Sequence, residues 1–135
     1  MLMKNILFIN HFAGAPNINE RSLRHYFLAN HLNVNQYSST IITSQNHYQS
    51  LKTDQYKNNQ NVNINGVNFI FIKEKSYTRL NLFTKILKMI SFSKNLLTSF
   101  VFGKITLDKV DIVFASSPDL FSSIVAYFIA KQKKA

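Results

Sequence analysis

Apolar positions along this chain follow two rhythms. Short apolar runs stand at Ile6–Ile9, at the centre of Ser39–Thr43, at Val67–Ile72 and at Asp111–Ala115. They are partly β-branched and short, which is the signature of buried strands. Between them apolar residues recur at helical spacing. Over Glu20–Asn33 the pattern is Leu23, Tyr26/Phe27, Asn30 and Val34, with Leu28 and Leu32 widening the stripe. Over Leu80–Phe102 it is Leu82/Phe83, Ile86/Leu87, Met89/Ile90, Leu96/Leu97 and Phe100/Val101, while Lys85, Lys88, Ser91, Lys94, Asn95 and Thr98 fall largely opposite. A third helical stretch runs from Leu120 to about Lys131.

The punctuation agrees with these elements. Gly14 and Pro16 mark a loop after the first strand, and Asn17 or Asn19 can cap the helix that follows. Asn33 and Asn35 tolerate the left-handed conformation that often ends a helix. Ser44–Asn63 is polar and without period, a long loop. Asn65-Gly66 predicts a turn, with Asn61–Asn65 as a short edge segment in a hairpin with Val67–Ile72. Gly103 ends the long helix, and Asp119 or Ser117 caps the last one.

Alternating strands and helices imply an α/β fold with parallel pairing and right-handed crossovers. The simplest arrangement is a Rossmann-like half-sheet in which the four main strands take the order 3-2-1-4. The loops after the first and last strands then open into one crevice, bringing His11, Gly14, Ser116, Ser117 and Asp119 together. A fifth and later strands are missing from the pattern, so the last strand is expected to be an exposed apolar edge.

Composition narrows the partners. The 135 residues include no cysteine, which excludes disulfide frameworks and thiolate metal sites. The net charge is +10, from 16 Lys and Arg against 6 Asp and Glu. Two readings fit: an anionic partner, or a solvated basic surface. No nucleic-acid reading motif accompanies the charge. The longest mostly apolar stretch, 112–130, is interrupted by Pro118, Asp119 and serines, so it does not read as a spanning helix.

Among candidate site residues, His11 follows a central strand and is placed for substrate contact or acid–base work. Gly14 allows close backbone approach to an anion at the helix start, although three glycines in the chain make no G-x-G-x-x-G fingerprint. Arg21 and Arg24 sit where a guanidinium can take phosphate, and His47 lies on the same side of the sheet. Ser116, Ser117 and Asp119 either hold a phosphate or sugar or simply cap the last helix. His25 and His31 do not share a helical face, and no metal site is expected. Lys85, Lys88 and Lys94 form a basic edge on the long helix. Such a helix either packs its apolar stripe on the sheet or lies on an anionic bilayer.

In their order and spacing, several segments together resemble a known family. They are Ile6-Leu-Phe-Ile-Asn-His11-Phe-Ala-Gly14-Ala-Pro16, the Glu20-Arg21 helix start with Tyr26-Phe-Leu-Ala29, and Ser39-Thr-Ile-Ile-Thr-Ser44 followed by His47. Ile64-Asn-Gly66-Val67-Asn-Phe69, Leu87-Lys-Met-Ile-Ser-Phe92 and Asp111-Ile-Val-Phe-Ala-Ser-Ser-Pro118 continue it. Over nearly its whole length the chain looks like the amino-terminal domain of family 4 glycosyltransferases. The nearest subgroup is that of bacterial surface-polysaccharide enzymes similar to the N-acetylfucosamine transferases of O-antigen and capsule synthesis.

The resemblance implies a GT-B fold, whose amino-terminal domain binds a lipid-linked sugar acceptor at the cytoplasmic face of the membrane. The carboxy-terminal domain would bind the nucleotide-sugar donor through an E-x7-E pair. Transfer would retain configuration and need no metal or other cofactor. Gly14 would face the donor phosphates. This sequence departs from the family in having no second domain, no E-x7-E and no glycine-rich character over Lys73–Asn81. The expectation is therefore an incomplete, acceptor-side domain over residues 1–135, inactive alone, with a second chain as a possible source of the donor domain. The alternative is a non-catalytic basic module that binds a membrane surface or a partner.

Overall fold

The structure is a computed structural model and describes residues 3–16, 22–45, 57–75, 81–116 and 119–135. Its elements are β1 (Lys4–Ile9), α1 (Arg24–Val34), β2 (Tyr37–Ser44), β3 (Gln60–Ile64), β4 (Val67–Ile72), α2 (Leu82–Val101), β5 (Ile112–Ala115) and α3 (Leu120–Lys133). One sheet contains all five strands, in the order β3-β4-β2-β1-β5. Four are parallel, and β3 runs antiparallel to β4.

This corrects the four-strand order 3-2-1-4. Gln60–Ile64 is a full strand outside β4, so the sheet has five members and one antiparallel pair. The cause is local. Asn65 and Gly66 take φ of 49° and 88°, a two-residue turn whose twist matches that of a hairpin. The Asn63 side chain reinforces the turn by accepting the Gly66 N–H at 3.0 Å.

Side chains alternate across the sheet because the strand period is two. Leu7, Ile9, Ile42, Ile70 and Ile72 face one layer, where they pack with Phe92 and Leu96 of α2 and Val125, Ala126 and Ile129 of α3. Ile6, Phe8, Ile41, Phe69 and Phe71 face the other, against Tyr26 and Ala29 of α1. Burial on both faces is why these strands read as continuous apolar runs.

The first and last strands are clipped together at their starts. The Asp111 carboxylate accepts the Asn5 N–H at 2.9 Å, and the Asp111 N–H donates to the Asn5 carbonyl at 2.9 Å. That clip holds the Asp111 carboxyl below its ordinary range, with further help from Lys109. At the sheet edge Ile112 and Phe114 remain nearly half exposed.

The helix ends show three kinds of termination. The proposed caps Asn17 and Asn19 lie outside the described residues. At the far end of α1 the left-handed residue is Gln36, with φ 68°, and neither Asn33 nor Asn35 takes that role. Asn81 opens α2 with a reciprocal box: it accepts the Thr84 N–H at 2.8 Å while Thr84 Oγ1 accepts the Asn81 N–H at 2.9 Å. Asp119 caps α3 by accepting the N–H groups of Phe121 and Ser122 at 3.0 and 3.1 Å.

The long helix is turned about its axis from its expected orientation. Its buried residues are Lys88, Phe92, Ser93, Leu96 and Ser99. Leu82, Phe83, Ile86, Ile90, Leu97 and Val101 are exposed. Most of the apolar stripe expected against the sheet therefore points away from it. The reason lies in the connection before the helix. Glu74 is buried and pairs with Lys88, and the Asn95 amide donates to the Lys73 carbonyl at 2.6 Å, so polar anchors fix which face turns inward.

Candidate functional site

The sheet order reverses beside β1. The chain leaves β1 toward β2 and β4 on one side, and β5 pairs on the other. At such a switch point the loops after adjacent strands separate and leave a crevice at their carboxyl ends, where open α/β sheets bind ligands. The alternation of β1 continues past its last residue. Ile6, Phe8 and Asn10 fall on the α1 side, and Leu7, Ile9 and His11 on the α2/α3 side. Two polar clusters result, one on each side of the sheet edge.

The first cluster joins β1, α1 and β5. Asn10 Nδ2 lies 3.2 Å from His25 Nε2 and donates to Ser116 Oγ; His25 Nε2 and Ser116 Oγ are 2.9 Å apart. Asn10 Oδ1 accepts the Phe12 N–H at 2.7 Å, which shapes the loop after the strand. Burial lowers the His25 pKa, and neighbouring Arg24 lowers it further. Both contacts fall on Nε2 of a neutral ring, whose single lone pair the Ser116 hydroxyl and the Asn10 N–H share.

The second cluster joins β1, α2, α3 and the connection after β4. His11 Nε2 contacts Glu74 Oε2, and His11 Nδ1 lies 3.9 Å from Asp119 Oδ2. Lys88 Nζ is 3.3 Å from Glu74 Oε1. All four residues are buried. The His11 ring also packs 4.9 Å from that of Phe92 and 4.5 Å from that of Phe12. Among the described residues, Nδ1 of His11 and Oδ2 of Asp119 have no hydrogen-bond partner, and they face each other. Lys88, Glu74, His11 and Asp119 thus form a buried polar row in which the His11 ring stands between two carboxyl groups.

The expected residues divide as follows. His11 and Asp119 meet, and Ser116 joins Asn10 and His25 instead. Gly14 is buried, and its N–H donates to the Ser22 carbonyl at 2.9 Å, so that amide is occupied within the chain. The neighbouring Ala13 carbonyl accepts from Thr43 Oγ1 at 2.6 Å, which pins the loop to β2. Arg21, His47 and Ser117 lie outside the described residues. Lys85 and Lys94 are exposed on α2, whereas Lys88 is turned inward to Glu74, a correction to its expected place on the outer basic edge.

The sequence pattern does not single out Asn10 or Glu74, and it marks Lys88 only as part of an outer basic edge and His25 only as a histidine without metal-ligand spacing. The signals for them are parity and helical spacing. Glu74 stands two beyond Ile72 and four beyond Ile70, so it continues the α2-facing row of β4. Lys88 precedes Phe92 by four, one turn along the buried face. Among the described residues no three His, Asp or Glu side chains converge as a metal site.

Fold and site together define an α/β protein with two polar clusters at the carboxyl ends of its parallel strands. No protein-family model matches the chain, and no curated protein does.

Proposed function

We propose that this chain is the acceptor-side portion of a retaining, GT-B glycosyltransferase of bacterial surface-polysaccharide synthesis, its sheet being the Rossmann-like half of that fold. In this reading it helps move a sugar from a nucleotide-sugar to a lipid-linked glycan acceptor of O-antigen or capsule, peripheral to the inner face of the cell membrane. The supporting observation is the pair of polar clusters at the β1/β5 switch point. Sugar hydroxyls are both donors and acceptors. Such ligands fit a wall whose half-buried Ser116 hydroxyl is held by Asn10 and His25 on one side, with the buried His11–Asp119 pair beneath the other.

The donor would be held by a second domain, from the same polypeptide or another chain, so no metal or other cofactor is assigned to this portion. Within the crevice, His25 and Asn10 orient the Ser116 hydroxyl, and Glu74 orients His11 through Nε2. Nδ1 of His11 and Oδ2 of Asp119 are left without a hydrogen-bond partner among the described residues, so in this reading the pair stands beneath the acceptor site and opens to a hydroxyl only when the loop over it moves. That arrangement positions the acceptor, and it supplies no group for the donor phosphates.

Nitrogen-15 correlation spectra of the chain, titrated with a short-chain lipid-linked sugar, test the reading. Shifts concentrated at Asn10, His11, His25, Ser116 and Asp119 are expected, weakened in Ser116→Ala. Shifts confined elsewhere overturn the crevice as acceptor site. Robust sugar transfer by the chain alone overturns the assignment of the donor to another domain.

A further inference from the structure

The strongest unexplained feature is the outward face of the α2/α3 layer. At 100° per residue, Leu82, Phe83, Ile86, Ile90, Leu97 and Val101 fall within an arc of about 100°, roughly opposite the buried Lys88, Phe92, Leu96 and Ser99. Leu82, Phe83 and Val101 are 76%, 68% and 58% exposed. Neighbouring α3 repeats the pattern: Leu120 and Tyr127 are 75% and 72% exposed, and Ile124 stands between them on the same face. The two helices touch through Phe100 and Phe128, edge to face with centroids 6.2 Å apart, so their outer faces adjoin. An apolar surface of this extent marks an interaction site.

Charge selects the occupant. Neither α2 nor α3 contains an acidic residue. Lys85, Lys94, Lys104, Lys131 and Lys134 are exposed on or beside them. A second copy would bring the same cations, on a chain of net charge +10, against this face. An anionic bilayer offers an apolar interior for the stripe and headgroups for the flanking lysines. Among the described residues no helix is long and apolar enough to cross a membrane, so the fitting geometry is one in which the helices lie in the interface.

We infer that the joint outer face of α2 and α3 is a docking surface for an anionic lipid bilayer. The inference rests on the peripheral placement proposed above and gives it a surface. It also gives an orientation. Lys88 meets Glu74 just past the end of β4, and the six residues from Leu82 to Lys88 carry the start of α2 roughly 9 Å further along its axis. Leu120 directly follows Asp119 of the crevice. The most exposed apolar residues at the starts of both helices therefore lie at the crevice end. A bilayer on this face brings its surface beside the mouth of the site.

Flotation of the full chain with vesicles of phosphatidylcholine and one-third phosphatidylglycerol tests this. Binding is expected at low salt, and much less to phosphatidylcholine alone. The triple variant Leu82→Ser/Phe83→Ser/Val101→Ser should lower partitioning roughly tenfold or more, with little change in melting temperature because these positions are 58–76% exposed. K85E/K94E should weaken binding to the anionic vesicles only. Flotation of the triple variant like wild type overturns this surface while leaving peripheral placement standing. Failure of wild type to float overturns both, but not the crevice, which the acceptor titration tests separately. A dimer in sedimentation that the triple variant dissolves, without flotation, overturns the bilayer in favour of a second copy.

Discussion

Replacing Lys88 by Met removes the ammonium from the α2 anchor and keeps most of its stem. In the native chain Lys88 Nζ and Glu74 Oε1 are 3.3 Å apart, with side chains 8% and 1% exposed. At an effective dielectric near 20, charges at that separation attract by roughly 5 kcal/mol, and desolvation of both offsets much of this. The variant takes the ammonium from Glu74 Oε1, which burial has already cut off from water, while Oε2 keeps His11; breaking one side of such a pair costs about 3–5 kcal/mol. For a domain of this size that corresponds to a fall of about 10–20 °C in Tm. Urea titration followed by circular dichroism at pH 7 measures it. Glu74→Gln/Lys88→Met should recover most of the loss, since no uncompensated charge remains and the amide can still meet His11. A loss below about 0.5 kcal/mol for Lys88→Met, or a double variant as unstable as the single, would refute the claim that this ion pair sets the helix face.

Three further outcomes are expected. The Asp111 carboxyl is held low by the Asn5 N–H, so its stabilisation is present above the unfolded pKa and is lost as pH falls through the folded one; Asp111→Asn should flatten the acid limb of a urea-midpoint profile. The His25 pKa is lowered, so the unfolded chain binds its proton more readily, and stability should fall as pH drops below about 6.5; His25→Gln should remove that slope, which the same profile reads. Gly66 has φ +88° with open space around its Cβ position, so Gly66→Ala meets backbone strain rather than a clash and should cost roughly 1–2 kcal/mol in chemical denaturation.

Strand identity is readable because β1, β2 and β4 are buried on both faces, and a double-faced strand needs an apolar residue at every position. The Asn65-Gly66 turn is readable because few pairs accept two positive φ angles. The edge strand is harder. Asn61 and Asn63 alternate with Val62 and Ile64, and only pairing with β4 gives that weak pattern its meaning. The face of α2 escapes the pattern for a physical reason: hydrophobicity alone says that the apolar stripe turns inward, yet the Glu74–Lys88 pair and the Asn95 bond to Lys73 outrank it. In the site, His11 and Asp119 are legible from topology. The partners of His11 are not, because Glu74 and Lys88 look like solvated charges until β4 parity and α2 phase are combined. Gly14 shows the converse, a residue suited to anion binding whose amide is taken by Ser22.

The clip between Asn5 and Asp111 spans 106 residues. Synthesis at about 5–20 residues per second separates its two halves by roughly 5–20 s. During that interval β1 can acquire β2 as a neighbour but has no β5, so its other edge stays open to mispairing. Ser116 and Asp119 leave the ribosome later still. Contacts of Asn10 with Ser116 and of His11 with Asp119 thus become possible only after β5 has been made, and any partner that recognises them recognises a chain whose first strand can already have both neighbours.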